Sequence, residues 1–499
     1  MAAALAAATL GVWTASAAAA SVEVAVDGGR VDGVRDAGLE IFKGVPYAAP
    51  PIGERRWAPP APVQAWTGVR PAADFGPVCP QPRRPDGAAA AGADQPQSED
   101  CLTLNIWSFA GARKAPVMVW IHGGAFRFGS GSARIYDGAP FARDGVILVS
   151  LNYRLGALGW FAHPALTRAA SPDEPLVNYG LMDQIAALRW VQHNIAAFGG
   201  DPANVTVFGE SAGGESVLAL LSAPSAKGLF AKAIVESGGG WGADKTLAQA
   251  EAQGSSLATA AGLGPDATPQ QLRALPVDKL FALPMTLGAV GPVTDGRLLP
   301  QSVTRTFAAS RQIAAPLIIG SNSYEASLMR SFRIPPQTML ARVPATMRAL
   351  YPGDDDKAAS DLFTDAIMGA PSRWVAARQS AVAPTWLYRF DYVPTLRRGS
   401  APGTQHGGEI PFVFATWSAL AGPAASADDQ AMERLAHGCW IAFAKTGTPA
   451  CGDPKWPAYT PAQDRLMAFG VSSGPAQEPR EAQYDALQQT LLPLMEAAR

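Results

Sequence analysis

Gly209-Glu210-Ser211-Ala212-Gly213 lies between an apolar, β-branched run at 204–208 and a segment at 216–221 with the composition of a helix. In that setting a serine with glycines two places before and two places after describes a nucleophile elbow. The turn is so tight that both flanking positions must lack side chains, and the hydroxyl projects from the strand tip. The competing reading is a glycine-rich helix entry in which Ser211 acts only as an N-cap. A serine hydroxyl is a weak nucleophile at neutral pH and needs a base and a receptor for developing negative charge. His122-Gly123-Gly124-Ala125-Phe126 offers the receptor, because adjacent glycines let successive N–H groups approach one oxygen. Gly123, Gly124, Ala125 and Ala212 are then expected to form an oxyanion hole, with the N–H groups of Gly124, Ala125 and Ala212 as donors; alone, the segment also reads as a plain glycine turn. The base must come from five histidines: His122, His163, His193, His406 and His437.

The elements that must position these groups are legible as short apolar runs at 117–121, 146–151, 204–208, 231–235 and 316–319, each followed by a turn. Strands apolar along their whole length are buried on both faces, which predicts an α/β fold with a mostly parallel central sheet flanked by helices. Functional loops then belong at the carboxyl ends of the strands. Between two of the runs, Ile185, Leu188, Val191, Ile195 and Phe198 recur at helical spacing, predicting a helix over 181–198. Segments 247–280 and 335–378 read as helical, irregular insertions over the core. Residues 82–97, rich in Pro, Ala and Gly, read as a surface loop.

The chain has 499 residues, a formal charge of −2, 48% apolar and 16% charged residues. That composition excludes wholesale disorder, and four cysteines are too few for a disulfide scaffold of this length. Near-neutral charge gives no footprint for a nucleic-acid partner. Residues 1–20 are apolar and Ala-rich with small residues at the exit, resembling a secretory signal peptide cleaved between Ala17 and Ser21, although no Lys or Arg precedes Arg30. An Ala-rich leader without a targeting role is the other reading. Residues 21–499 are then expected to form a single domain, secreted or periplasmic, with no stable membrane anchor.

Longer stretches carry a resemblance. Asn178-Tyr179-Gly180-Leu181-Met182-Asp183-Gln184, Ala187-Leu188-Arg189-Trp190-Val191, Phe198-Gly199-Gly200-Asp201-Pro202 and Gly209 to Gly214 resemble the type-B carboxylesterase family of the α/β-hydrolase superfamily. Phe42-Lys43-Gly44-Val45-Pro46-Tyr47-Ala48, Glu99-Asp100-Cys101-Leu102-Thr103-Leu104-Asn105 and Phe443-Ala444-Lys445-Thr446-Gly447 extend it over about residues 22–495. The resemblance implies an α/β-hydrolase fold with helical insertions over the active site. It also implies hydrolysis of carboxylic esters through an acyl-enzyme.

The triad order in this fold is serine, acid, histidine. Glu325, in Gly320-Ser321-Asn322-Ser323-Tyr324-Glu325, resembles the family's acid, and His406, opening His406-Gly407-Gly408-Glu409, its histidine. A lone loop glutamate would otherwise be an ordinary exposed carboxylate. His122 is expected to brace the oxyanion loop through a ring hydrogen bond. His193 and His437 fall in helical patterns, and His163 in a loop before Pro164. Ser237 matches a family serine near the histidine and is expected to support it by a hydrogen bond. Glu210 is expected to lie buried behind the elbow, without an assigned role.

Cys79 and Cys101 match the family's first disulfide. A Cys439–Cys451 bridge has no support from the resemblance, and four cysteines allow three pairings. No cofactor or metal is implied. The expected partner is a small-molecule ester, and the expected state a monomer or weak homo-oligomer. The loop between Cys79 and Cys101 contains no aromatic residue, which argues against choline esters, whose quaternary ammonium favours an aromatic face. An interfacial lipase and a non-catalytic cholinesterase-like binding module are the alternative functions.

Overall fold

A computed structural model describes residues 20–82, 95–282, 290–341, 343–452 and 455–497. The expected leader, apart from Ala20, and most of the loop at 82–97 lie outside them. Thirteen strands form one sheet: β1 (Ala20–Val26), β2 (Gly29–Asp36), β3 (Leu39–Pro46), β4 (Val69–Pro71), β5 (Thr103–Phe109), β6 (Ala115–Ile121), β7 (Ile147–Leu151), β8 (Gly200–Glu210), β9 (Lys232–Glu236), β10 (Leu317–Asn322), β11 (Thr385–Phe390), β12 (Arg465–Phe469) and β13 (Gly474–Gln477). Their spatial order is β1-β2-β3-β5-β7-β6-β8-β9-β10-β11-β12-β13, with β4 beside β2. From β7 through β12 every neighbouring pair is parallel; β1, β2, β3, β5 and β7 pair antiparallel in succession, β13 is antiparallel to β12, and β4 is parallel to β2.

Strand periodicity explains why the central runs are apolar throughout. Val117, Val119, Ile121, Val149, Val205, Val207, Ala233, Val235 and Ile319 pack into one core. The alternate residues Met118, Trp120, Leu148, Phe208, Ile234 and Ile318 pack into a second core on the opposite face. The helices Tyr179–Asn194 and Ala212–Ser222 bury Leu181, Ile185, Leu188, Val217 and Leu221 in the first core. Ala427–Thr446 buries Trp440 and Phe443 in the second.

Boundaries shift where tertiary pairing decides them. β8 runs past the predicted run because its ladder with β6 continues to Ile121↔Gly209 and that with β9 to Glu210↔Glu236. The predicted helix over 181–198 begins at Tyr179 and tightens into a 3-10 turn, Ile195–Phe198, closed by left-handed Gly199 (φ 84°). Between β9 and β10 lie the helices Leu247–Ala260, Pro269–Arg273 and Val277–Ala282, the first two opened by Thr246 and Thr268 capping boxes. Helices also fill most of the chain between β10 and β11, matching the expected insertions. Among the described residues no helix is long and apolar enough to cross a membrane. Both cysteine pairs are joined, Cys79–Cys101 and Cys439–Cys451, with Cα atoms 5.0 and 4.6 Å apart.

Candidate active site

β8 ends at Glu210, Ser211 takes φ 56° and ψ −123°, and the next helix begins at Ala212. This conformation is sparsely populated for a residue with a side chain and costs on the order of 1–3 kcal/mol. The glycines make the turn possible: a Cβ on Gly213 would stand 2.0 Å from the Ile121 carbonyl oxygen, and one on Gly209 2.6 Å from the same oxygen. The Ser211 N–H donates to the Glu236 carbonyl at 2.9 Å, tying the elbow to the end of β9. Although Ser211 occupies the N-cap position, its side chain caps nothing, so the plain N-cap reading fails.

The predicted oxyanion loop follows β6 directly. Gly124, Ala125 and Phe126 have φ of 111°, 53° and 57°, curling the chain, and Arg127 and Phe128 both donate to the Gly124 carbonyl at 3.0 Å. Gly123 packs against the elbow so closely that a Cβ there would meet a Glu210 carboxylate oxygen at 2.6 Å and the Ser211 Cβ at 3.1 Å. Among the described residues the N–H groups of Gly124, Ala125 and Ala212 have no backbone acceptor. His122 braces this loop as expected. Its Nδ1 donates to the Gly123 carbonyl at 2.7 Å, and its ring stacks on Tyr153, whose hydroxyl donates to the His122 carbonyl. Burial pushes its pKa down to about 4, so it is neutral.

Glu325 follows β10 and is fully buried. One carboxylate oxygen accepts from the Asn322 N–H at 2.7 Å and the Ser237 hydroxyl at 2.6 Å, and the other meets His406 Nδ1 at 2.6 Å. Ser237 therefore supports the histidine through the acid rather than directly. Three contacts lock the acid and histidine loops together: Tyr324 N–H to the Thr404 carbonyl, Thr404 N–H to Ser323 Oγ, and His406 N–H to Ser327 Oγ. The other histidines are spent elsewhere. His163 caps the helix Pro164–Ala169, His437 bonds the Val413 carbonyl, and His193 is exposed beside Asp27.

Sequence reasoning missed the partner of the second ring nitrogen. Glu210 Oε1 lies 3.1 Å from His406 Nε2, out of hydrogen-bond alignment, so the imidazole sits between two carboxylates. Burial pulls the His406 pKa down, but Glu210 and Glu325 outweigh it and raise it to about 10. Burial pushes Glu210 up to about 7, with His406 opposing and Glu325 adding. Behind them Glu409 is pushed up to about 8 by burial and by Glu210 and Glu325, and its carboxylate accepts from the Asn322 amide. Glu236 is raised chiefly by burial and accepts from Trp440 Nε1 at 2.8 Å. The charge states of Glu210, Glu236, Glu409 and His406 therefore depend on one another. The position of Glu210 next to the nucleophile was the available signal; its approach to a residue nearly 200 places away was not.

The site has the parts of a two-step acyl transfer: a half-buried serine on a strand-to-helix elbow, a glycine loop packed against it, and an imidazole oriented by a buried carboxylate. The family model described as "Carboxylesterase family" matches residues 20–349 and 346–487. Para-nitrobenzyl esterase of Bacillus subtilis (strain 168) is 38% identical over 466 residues, 86% of this chain and 91% of that enzyme. Carboxylesterase 1C of Rattus norvegicus is 34% identical over 495 residues, 88% of this chain and 87% of that enzyme. A solved PNB esterase structure superposes with a TM-score of 0.82 at 34% identity, covering 93% of this chain and 99% of that one. The chain belongs to the carboxylesterase family and has its α/β-hydrolase fold.

Proposed function

We propose that this carboxylic ester hydrolase works through Ser211 as nucleophile, His406 as general base and acid, and Glu325 as the group that orients His406. Ser211 attacks the ester carbonyl as His406 Nε2 takes its proton, and Glu325 holds Nδ1–H and stabilises the imidazolium. The N–H groups of Gly124, Ala125 and Ala212, with Gly123 shaping the loop, receive the oxyanion. Each donor is worth roughly 2.7–4 kcal/mol in other serine hydrolases. His406 then protonates the leaving alcohol, and a water activated by the same ring releases the acid. Ser237 steadies Glu325. The observation that carries this reading is Ser211 strained at φ 56° on a two-glycine elbow, its neighbour Glu210 3.1 Å from an imidazole whose Nδ1 lies 2.6 Å from a fully buried carboxylate.

Residues 21–499 are read as one catalytic domain, acting as a monomer or weak homo-oligomer on small-molecule esters, secreted or periplasmic; two disulfides favour an oxidising compartment. The test is hydrolysis of a short-chain nitrophenyl ester with covalent labelling by an organophosphonate. Ser211→Ala should abolish both. Activity or labelling that survives the substitution overturns the assignment.

A further inference from the structure

The helix behind the nucleophile sits between the sheet and its neighbours, and from Ala212 to Ser222 every residue is buried except Glu215. Ser211, at its N-cap, is half-buried, and Glu215 is exposed. The Glu215 N–H donates to the Ser211 carbonyl at 2.8 Å, so the two are one helical turn apart on the same face. Helical side chains lean toward the N-terminus, which carries the Glu215 carboxylate back toward Ser211. Solvent reaches this otherwise enclosed helix at those two positions, one turn apart on the face that carries the nucleophile.

Resting on the reading of Ser211 as nucleophile, we propose that Glu215 is a specificity-determining residue that favours esters carrying a protonated amine a few bonds from the scissile group and disfavours esters carrying a carboxylate there. Surrounding protein raises the Glu215 carboxyl above its ordinary range, and Lys245 opposes that rise. Lys245 is itself committed, its Nζ donating to the Val290 carbonyl at 2.8 Å. A carboxylate with protein packed around it acts on a substrate charge with less screening than one on an open surface. A protonated amine can also donate a hydrogen bond to Glu215, which a quaternary ammonium cannot. The preference therefore needs no aromatic face.

The experiment compares matched esters at pH 7. On the alcohol side they are 3-(dimethylamino)propyl acetate, its neutral isostere 4-methylpentyl acetate, and 4-acetoxybutanoate. On the acyl side they are ethyl 4-(dimethylamino)butanoate and ethyl 5-methylhexanoate. The wild-type enzyme should show kcat/KM about tenfold higher for the cationic than the neutral ester on at least one side, and lower still for the anionic one. Added salt should shrink this ratio. Glu215→Gln should bring it near one, and Glu215→Lys should reverse it in favour of the anionic ester. A general structural defect would lower all rates and leave the ratio unchanged. A wild-type ratio near one on both sides, or a ratio untouched by Glu215→Gln, overturns the proposal. Ser211→Ala should abolish turnover of every ester, and survival of turnover there would instead overturn the reading of the nucleophile.

Discussion

Replacing Glu210 by glutamine removes one of the two carboxylates that flank the His406 ring. The 3.1 Å contact between Glu210 Oε1 and His406 Nε2 sets the scale. At an effective dielectric constant of about 20, unit charges that close attract by roughly 5 kcal/mol, or about four pK units as an upper bound. Glu210 is itself pushed up to about 7, so near neutrality it carries only part of a charge, and Glu325 stays in place. The expected effect on His406 is therefore a fall of about one to two pK units.

The sign follows from the role. His406 is a base only when neutral, so activity is lost as pH falls through the pKa of the cluster. In the wild-type enzyme that acid limb should lie between the Glu210 value of about 7 and the His406 value of about 10. A lower pKa in Glu210→Gln moves the limb to lower pH, while the weaker base lowers the plateau by roughly threefold to tenfold. The assay is kcat/KM for a nitrophenyl ester from pH 5 to 10 in buffers of constant ionic strength. A limb that stays put or moves to higher pH would refute the idea that Glu210 holds a proton on His406.

Ser237→Ala removes a donor to Glu325, leaving more of its negative charge to act on His406; the acid limb should shift upward by a few tenths of a unit, opposite to Glu210→Gln, with kcat/KM down about tenfold. An unchanged profile and rate would mean that this hydrogen bond does not act on the triad. Gly213→Ala places a Cβ 2.0 Å from the Ile121 carbonyl, forcing the elbow away from the strand that carries the oxyanion loop. A misplacement near 1 Å should cost about 100-fold in kcat/KM, and a folded variant retaining wild-type kcat/KM would contradict the elbow geometry. Trp440→Phe leaves Glu236 Oε1 without its indole donor, and urea unfolding should show a loss of about 1–3 kcal/mol. An unchanged midpoint would mean that Glu236 is solvated by other means.

The sequence by itself determined the elements that bear the chemistry. Fully apolar strands require cover on both faces, so the runs ending near Ile121, Phe208, Val235 and Ile319 announced a parallel sheet. The Gly209–Gly213 spacing announced the elbow because only a side-chain-free residue fits against the Ile121 carbonyl. Glu325 and His406 were legible through a resemblance and not through spacing, since their meeting depends on loops 81 residues apart.

What only the tertiary structure decided is the surroundings of the imidazole. Glu210 leaves the strand beside the nucleophile, Glu409 follows the histidine by three residues, and Glu236 ends a neighbouring strand; each alone looks like a carboxylate of no particular consequence. Parallel register sets Glu210 opposite Glu236, and the lock between the acid and histidine loops brings His406 to both neighbouring carboxylates. The same folding joins Cys439 to Cys451 and leaves Glu215 accessible one turn from Ser211. Local pattern is set by backbone geometry and side-chain volume, which neighbours in sequence share. Proton affinity and substrate preference are set by charges brought together through space, and a linear pattern carries no record of those distances.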